Sequence, residues 1–77
     1  MTQTQPKPQI MRDAFQYTPG DGRRYRWTKG QQWITVERFT YRNGRLYFVE
    51  TGDRIDPPDR NTAAALMEVV DLWREGL

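Results

Sequence analysis

The run Trp33-Ile34-Thr35-Val36-Glu37-Arg38-Phe39-Thr40-Tyr41-Arg42-Asn43-Gly44-Arg45-Leu46-Tyr47-Phe48-Val49-Glu50-Thr51 decides the fold. Asn43-Gly44 signals a two-residue hairpin, because both central positions of a type I′ turn need positive φ and Asn and Gly tolerate it. On either side, aromatic and β-branched residues alternate with polar ones at the period of a strand. Two antiparallel strands, over residues 33–41 and 45–51, are expected.

The turn also sets a register. With Asn43 and Gly44 central, the facing pairs are Arg42/Arg45, Tyr41/Leu46, Thr40/Tyr47, Phe39/Phe48, Arg38/Val49 and Glu37/Glu50, and facing residues share a face. One face collects Phe39, Tyr41, Leu46 and Phe48 and reads as the core side. The other collects Arg38, Thr40, Arg42, Arg45, Tyr47 and Val49 and reads as the solvent side. Continued unbroken, the register opposes Glu37 to Glu50 on the core side and turns Ile34 and Val36 outward. A bulge near Glu37 repairs both, bringing Ile34 and Val36 inward with Phe39 and Tyr41.

Working outward, residues 23–28 alternate Arg24, Arg26 and Thr28 with Tyr25 and Trp27, the pattern of a third strand, and residues 29–32 reverse the chain. Pro19-Gly20-Asp21-Gly22 is a strong breaker and a turn rather than a phosphate loop, which would need Lys-Ser/Thr opening a helix. Before it, Ile10/Ala14 and Met11/Phe15 at i,i+4 suit a turn or two of helix. Residues 1–9, polar with Pro6 and Pro8, read as a flexible tail without the apolar segment of a signal peptide. After the hairpin, Pro57-Pro58 stiffens a connection over residues 52–60. A helix then begins with Asn61 or Thr62 as its cap. Leu66, Val70, Trp73 and Leu77, flanked by Ala63, Met67 and Val69, form its apolar stripe, Glu68, Asp71 and Glu75 an opposite acidic stripe, and Gly76 its end.

The expected fold is α+β: a three-stranded antiparallel sheet with one C-terminal helix packed on one face (β-β-β-α), in a single domain of residues 10–77. Three strands and a helix are about the minimum that stands alone. The 77 residues hold no Cys and no His. That removes disulfides, thiolate nucleophiles, Cys/His zinc sites and imidazole acid/base chemistry. Asp53, Asp56 and Asp59 lack the rhythm and central Gly of a calcium loop. Glu37 and Glu50 resemble a carboxylate dyad without a cleft or a nucleophile. A non-enzymatic protein with no metal and no cofactor is expected, and the lack of a long apolar run makes it one of the cytoplasm rather than the membrane.

Charge points to partners. Residues 1–49 carry nine Lys/Arg against three Asp/Glu, and residues 50–77 three Arg against seven acids. If Tyr25 and Trp27 join the core, Arg24, Arg26, Arg38, Arg42 and Arg45 share the open face of the sheet with Tyr47. An arginine fork suits phosphate oxygens and guanine edges, and a β-ribbon fits a major groove, so DNA or another nucleic acid is the expected partner. The β-β-β-α order over residues 23–77, with Tyr25-Arg26, Trp33 and Gly44, resembles the arm-binding domains of tyrosine recombinases and related DNA-reading modules. That resemblance implies a sheet that meets the groove and a helix that backs it. Trp27 and Trp33 read as core, and Tyr47 as the residue best placed to stack on a base. The alternative is a protein partner, met by the aromatic and arginine face or by Glu68, Asp71 and Glu75, with a homodimer as one form of it.

Overall fold

A computed structural model of the chain describes residues 9–11 and 14–77. Its elements are β1 (Gln9–Met11), β2 (Ala14–Tyr17), β3 (Arg23–Thr28), β4 (Ile34–Arg42), β5 (Arg45–Ile55) and α1 (Ala63–Glu75). The strands form one antiparallel meander in the order β1-β2-β3-β4-β5. The α+β class and the C-terminal helix agree with expectation, but the sheet has four strands from Ala14 onward rather than three, with the short β1 ahead of them. This also departs from the β-β-β-α order behind the recombinase resemblance. No described helix is long and apolar enough to cross a membrane.

The extra strand replaces the helical turn expected over residues 10–15. Phe15 pairs with Trp27 and Tyr17 with Tyr25, so aromatic side chains two apart enter the core from a strand. Arg12 and Asp13, within that expected turn, and residues 1–8 of the expected tail lie outside the described residues, while Gln9 opens β1. Aromatic and β-branched residues fit a half-buried pleated surface, and tertiary pairing decides between it and the i,i+4 alternative.

Asn43 (φ 53°) and Gly44 (φ 76°) make the hairpin turn, and all six facing pairs derived from it are present. A bulge does interrupt the ladder beside Glu37, but the extra residues are on the other strand. Thr35 faces Arg54 while Glu37 faces Glu50, so Val36 on β4 spans what Thr51, Gly52 and Asp53 span on β5. The extra residues belong to β5, where Gly52 adopts φ 90°, a region open to glycine. The Asp53 amide donates to Thr51 Oγ1 (3.1 Å), and the Thr51 hydroxyl donates to the Val36 carbonyl (3.3 Å). β5 thus runs on to Ile55 through a stretch read as a connection.

This location inverts the face assignment. β4 alternates without interruption, so with Ile34 and Val36 buried under the helix, Glu37, Phe39 and Tyr41 must point to the opposite side. The core is Phe15, Tyr17, Tyr25, Trp27, Ile34, Val36, Ile55, Leu66 and Val70, with Met67, Val69 and Trp73 packed against it. Phe39, Tyr41, Leu46 and Phe48, expected in the core, are exposed.

Thr62 caps α1, its Oγ1 accepting from the Ala65 amide (3.1 Å). The helix ends at Gly76, leaving Leu77 exposed instead of in the apolar stripe. Its last turns are tied down by a polar cluster. Asp21 accepts from the Tyr25 hydroxyl (2.6 Å), the Arg74 Nε (3.0 Å) and the Arg23 amide (3.0 Å). Asp71 accepts from the Tyr17 hydroxyl (3.0 Å) and an Arg74 terminal nitrogen (2.8 Å). The Pro-Gly-Asp-Gly segment is therefore a clasp between sheet and helix as well as a turn.

Candidate functional site

β3 reaches only as far along β4 as the pair Arg23/Arg38, and the last link is the Phe39 amide donating to the Gly22 carbonyl (3.2 Å). Beyond it, β4 and β5 have only each other. Every residue from Tyr41 to Glu50 is exposed, so the hairpin stands out from the domain as a two-stranded ribbon. Its two faces differ in chemistry. The helix-side face carries Arg38, Thr40, Arg42, Arg45, Tyr47 and Val49, and the opposite face carries Phe39, Tyr41, Leu46 and Phe48.

The five arginines expected on one surface fall on two. Arg38, Arg42 and Arg45 stand with Tyr47 on the ribbon, whereas Arg24 and Arg26 lie on the far side of the sheet, because Arg24 faces Glu37 and Arg26 faces Thr35. On that far side both arginines share the single carboxylate of Glu37. Arg24 Nε lies 2.7 Å from Glu37 Oε1, and an Arg26 terminal nitrogen lies 3.8 Å from Glu37 Oε2. The Arg24 guanidinium also stacks 3.4 Å from the centre of the Phe48 ring, which meets Phe39 edge-on at 4.8 Å. With its side chain 16% exposed, Arg24 is a clamp between Glu37 and the ribbon. Arg54, unexpected in this role, stacks 4.1 Å from the Trp33 ring on the same side.

Arg38, Arg42 and Arg45 form no ion pair among the described residues. Arg42 and Arg45 face each other beside the turn, and Arg38 follows four residues along β4. That spacing is about 14 Å at 3.4 Å per residue. Tyr47 lies between these positions and, with Thr40, Arg42, Phe48 and Val49, lines a shallow depression. Such a face can offer several forked donors and one exposed ring to a polyanion.

The other expected sites are bound into the fold to different degrees. Glu37 and Glu50 do face each other, but Glu37 is buried and paired with arginines while Glu50 is exposed. With Arg26, Thr28, Gln31 and Thr35 they line a polar cleft. On the helix, Glu68 and Glu75 are exposed, whereas Asp71 is half-buried and committed to Tyr17 and Arg74 rather than lying opposite the sheet. Trp27 is in the core, its Nε1–H donating to the Gln31 carbonyl (3.0 Å), whereas Trp33, also expected there, is half-buried outside the core cluster under Arg54. Burial raises the Tyr25 hydroxyl pKa, and the Asp21 carboxylate reinforces the shift. Tyr17 is raised likewise by burial and then by Asp71. For Arg74, burial alone would lower the pKa, but the hydrogen bonds to Asp71 and Asp21 outweigh it and the group is raised. Asp21 was signalled only by its turn-forming neighbours and by Tyr25 four residues later.

No family model, curated protein or solved structure matches the chain.

Proposed function

We propose that this protein is a non-enzymatic nucleic-acid-binding module that presents the Arg38, Arg42, Arg45 and Tyr47 face of its β4–β5 ribbon to DNA. The observation that carries the reading is three exposed arginines on one face of a protruding ribbon, without a described acid to neutralise them. A major groove about 12 Å wide admits a two-stranded ribbon. In that pose the arginines contact phosphates or guanine edges, and Tyr47 packs against sugar or an unstacked base. Arg24 and Arg26 enter this reading differently from the ribbon arginines. Arg24 holds the ribbon root through Phe48, and Arg26 flanks it.

The test is anisotropy of labelled random-sequence duplex and single-stranded DNA at two salt concentrations. Three phosphate contacts give a log–log salt slope of about −2.7, hence an affinity loss of about 40-fold for a fourfold rise in salt. Absence of binding at low salt would remove the proposal. A protein partner is the second reading, favoured by the exposed Phe39, Tyr41, Leu46 and Phe48 on the ribbon's other face. It predicts binding that is insensitive to loss of Arg42 and Arg45 and sensitive to loss of Tyr41 and Leu46.

A further inference from the structure

β5 is the last strand of the sheet, paired among the described strands with β4 alone, and its residues Arg45–Glu50 are all exposed. In a hairpin closed by a two-residue turn, Arg42 and Arg45 exchange backbone hydrogen bonds, and so do Thr40/Tyr47 and Arg38/Val49. The amides and carbonyls of Leu46, Phe48 and Glu50 therefore point away from β4, toward solvent. The edge is long, regular up to Glu50, and free of proline, lysine and bulges over residues 45–50, features that ordinarily prevent edge pairing, with its two charges, Arg45 and Glu50, at the ends of the stretch. It is also apolar: Leu46, Tyr47, Phe48 and Val49 are each between 37% and 47% exposed. A two-stranded ribbon is marginal by itself, and a third strand is what such a ribbon lacks.

From these observations we infer that β5 pairs antiparallel with β5 of a second copy of this chain, about a twofold axis through Tyr47. Hydrogen-bond parity restricts the register. Outward-pointing residues can only face outward-pointing residues, so the axis must pass through a residue rather than between two, and it stands perpendicular to the sheet. Centred on Phe48, the pairing would set Leu46 against Glu50. Centred on Val49, it would run Leu46 into the Gly52 bulge. Centred on Tyr47, it sets Tyr47 against Tyr47 of the second copy, Leu46 against Phe48, and Arg45 against Val49. All five residues then lie in the regular part of β5, and Leu46 and Phe48 make four backbone hydrogen bonds with their counterparts.

Because the axis is perpendicular to the sheet, like faces join. The Phe39, Leu46 and Phe48 surfaces of the two copies become continuous on one side. Arg38, Arg42 and Arg45 of both copies lie together on the other. The pairing rests on the edge itself and stands whether or not the ribbon binds DNA.

The absence of cysteine lets single substitutions read the register in the full chain without DNA present. Facing residues in a non-hydrogen-bonded antiparallel pair have Cα atoms about 4.5 Å apart, within the range of about 4.4–6.8 Å for a disulfide. Tyr47→Cys is expected to oxidise to a disulfide dimer in high yield, at least tenfold faster than Glu68→Cys on the exposed helix face. Sedimentation equilibrium of the unaltered chain is expected to show mass doubling with concentration. Leu46→Pro, which removes an outward amide and spares the β4 ladder, is expected to weaken association at least tenfold with an unchanged circular dichroism spectrum. A monomer at all concentrations, together with no preference of Tyr47→Cys over Glu68→Cys, overturns the pairing. Faster cross-linking of Phe48→Cys than of Tyr47→Cys overturns the register.

Discussion

Two tyrosines on neighbouring strands show how differently the ends of this sheet are used: Tyr25 on β3 is fully buried and Tyr41 on β4 is 74% exposed. Tyr25 sits where β2, β3, the first half of β4 and α1 converge, and Tyr41 where β4 and β5 have run past every other element. β4 belongs to both regions. Its inward positions Ile34 and Val36 lie under the helix, while its later residues form the ribbon. The helix covers only one end of one face. Burial along a strand thus depends on how far the neighbouring element reaches as well as on alternation.

The comparison breaks most readily in the core. Leu66→Ala removes a fully buried side chain facing the sheet and is expected to cost about 2–5 kcal/mol. Tyr41→Ala on the ribbon is expected to change stability by less than about 0.5 kcal/mol. Urea unfolding of the two variants measures the contrast. Equal losses would mean that the ribbon packs against something as firmly as the core does.

The clasp at Asp21 comes next. Asp21→Ala leaves the Tyr25 hydroxyl without its carboxylate partner and Arg74 with Asp71 alone, at an expected cost of about 1–3 kcal/mol. Asp21→Asn, which keeps an acceptor, should recover part of that loss. The same denaturation experiment reads it, and identical behaviour of the two variants would assign the effect to the turn rather than to the hydrogen bonds.

Tyr17 and Tyr25 give the clasp a pH signature. Tyr17 and Tyr25 are both raised above the ordinary value near 10. Their neutral forms are favoured in the folded state, so the stability this represents is full below pH about 10 and is lost as pH rises from there through the folded pKa values. Melting temperature is expected to fall on the alkaline side of pH 10, with a shallower fall in Tyr25→Phe. A slope unchanged by Tyr25→Phe would place the alkaline transition elsewhere.

The same division marks how far the sequence could be read. The hairpin register was legible because Asn43-Gly44 fixes it locally, and Arg38, Arg42, Arg45 and Tyr47 share a face by that register alone. The side on which the core lies was not legible, since it depends on where residues are added. They are in β5 at Gly52, in a stretch that reads equally well as a connection. β2 escaped notice because Ala14 and Phe15 also fit an i,i+4 pattern with Ile10 and Met11. The pairing of Arg24 and Arg26 with Glu37 depends on the β3/β4 register, which joins residues 13 and 11 apart across a loop carrying no turn as decisive as Asn-Gly. Local chemistry was therefore legible, and longer-range bookkeeping of faces needed the structure.

The smallest expected effect on stability is also the sharpest for the ribbon. Arg42→Ala combined with Arg45→Ala alters two exposed side chains beside a turn whose φ angles depend on Asn43 and Gly44, so unfolding should move by less than about 0.5 kcal/mol. If both arginines contact phosphate, the salt slope of DNA binding should fall by about 2, leaving an affinity change of only about 3.5-fold for a fourfold rise in salt. Arg24→Ala is the informative contrast: its guanidinium is already engaged by Glu37 and Phe48. Its loss should lower stability and leave the salt slope nearly unchanged. The reverse pattern, with the slope following Arg24 and indifferent to Arg42 and Arg45, would move the binding face to the other side of the sheet.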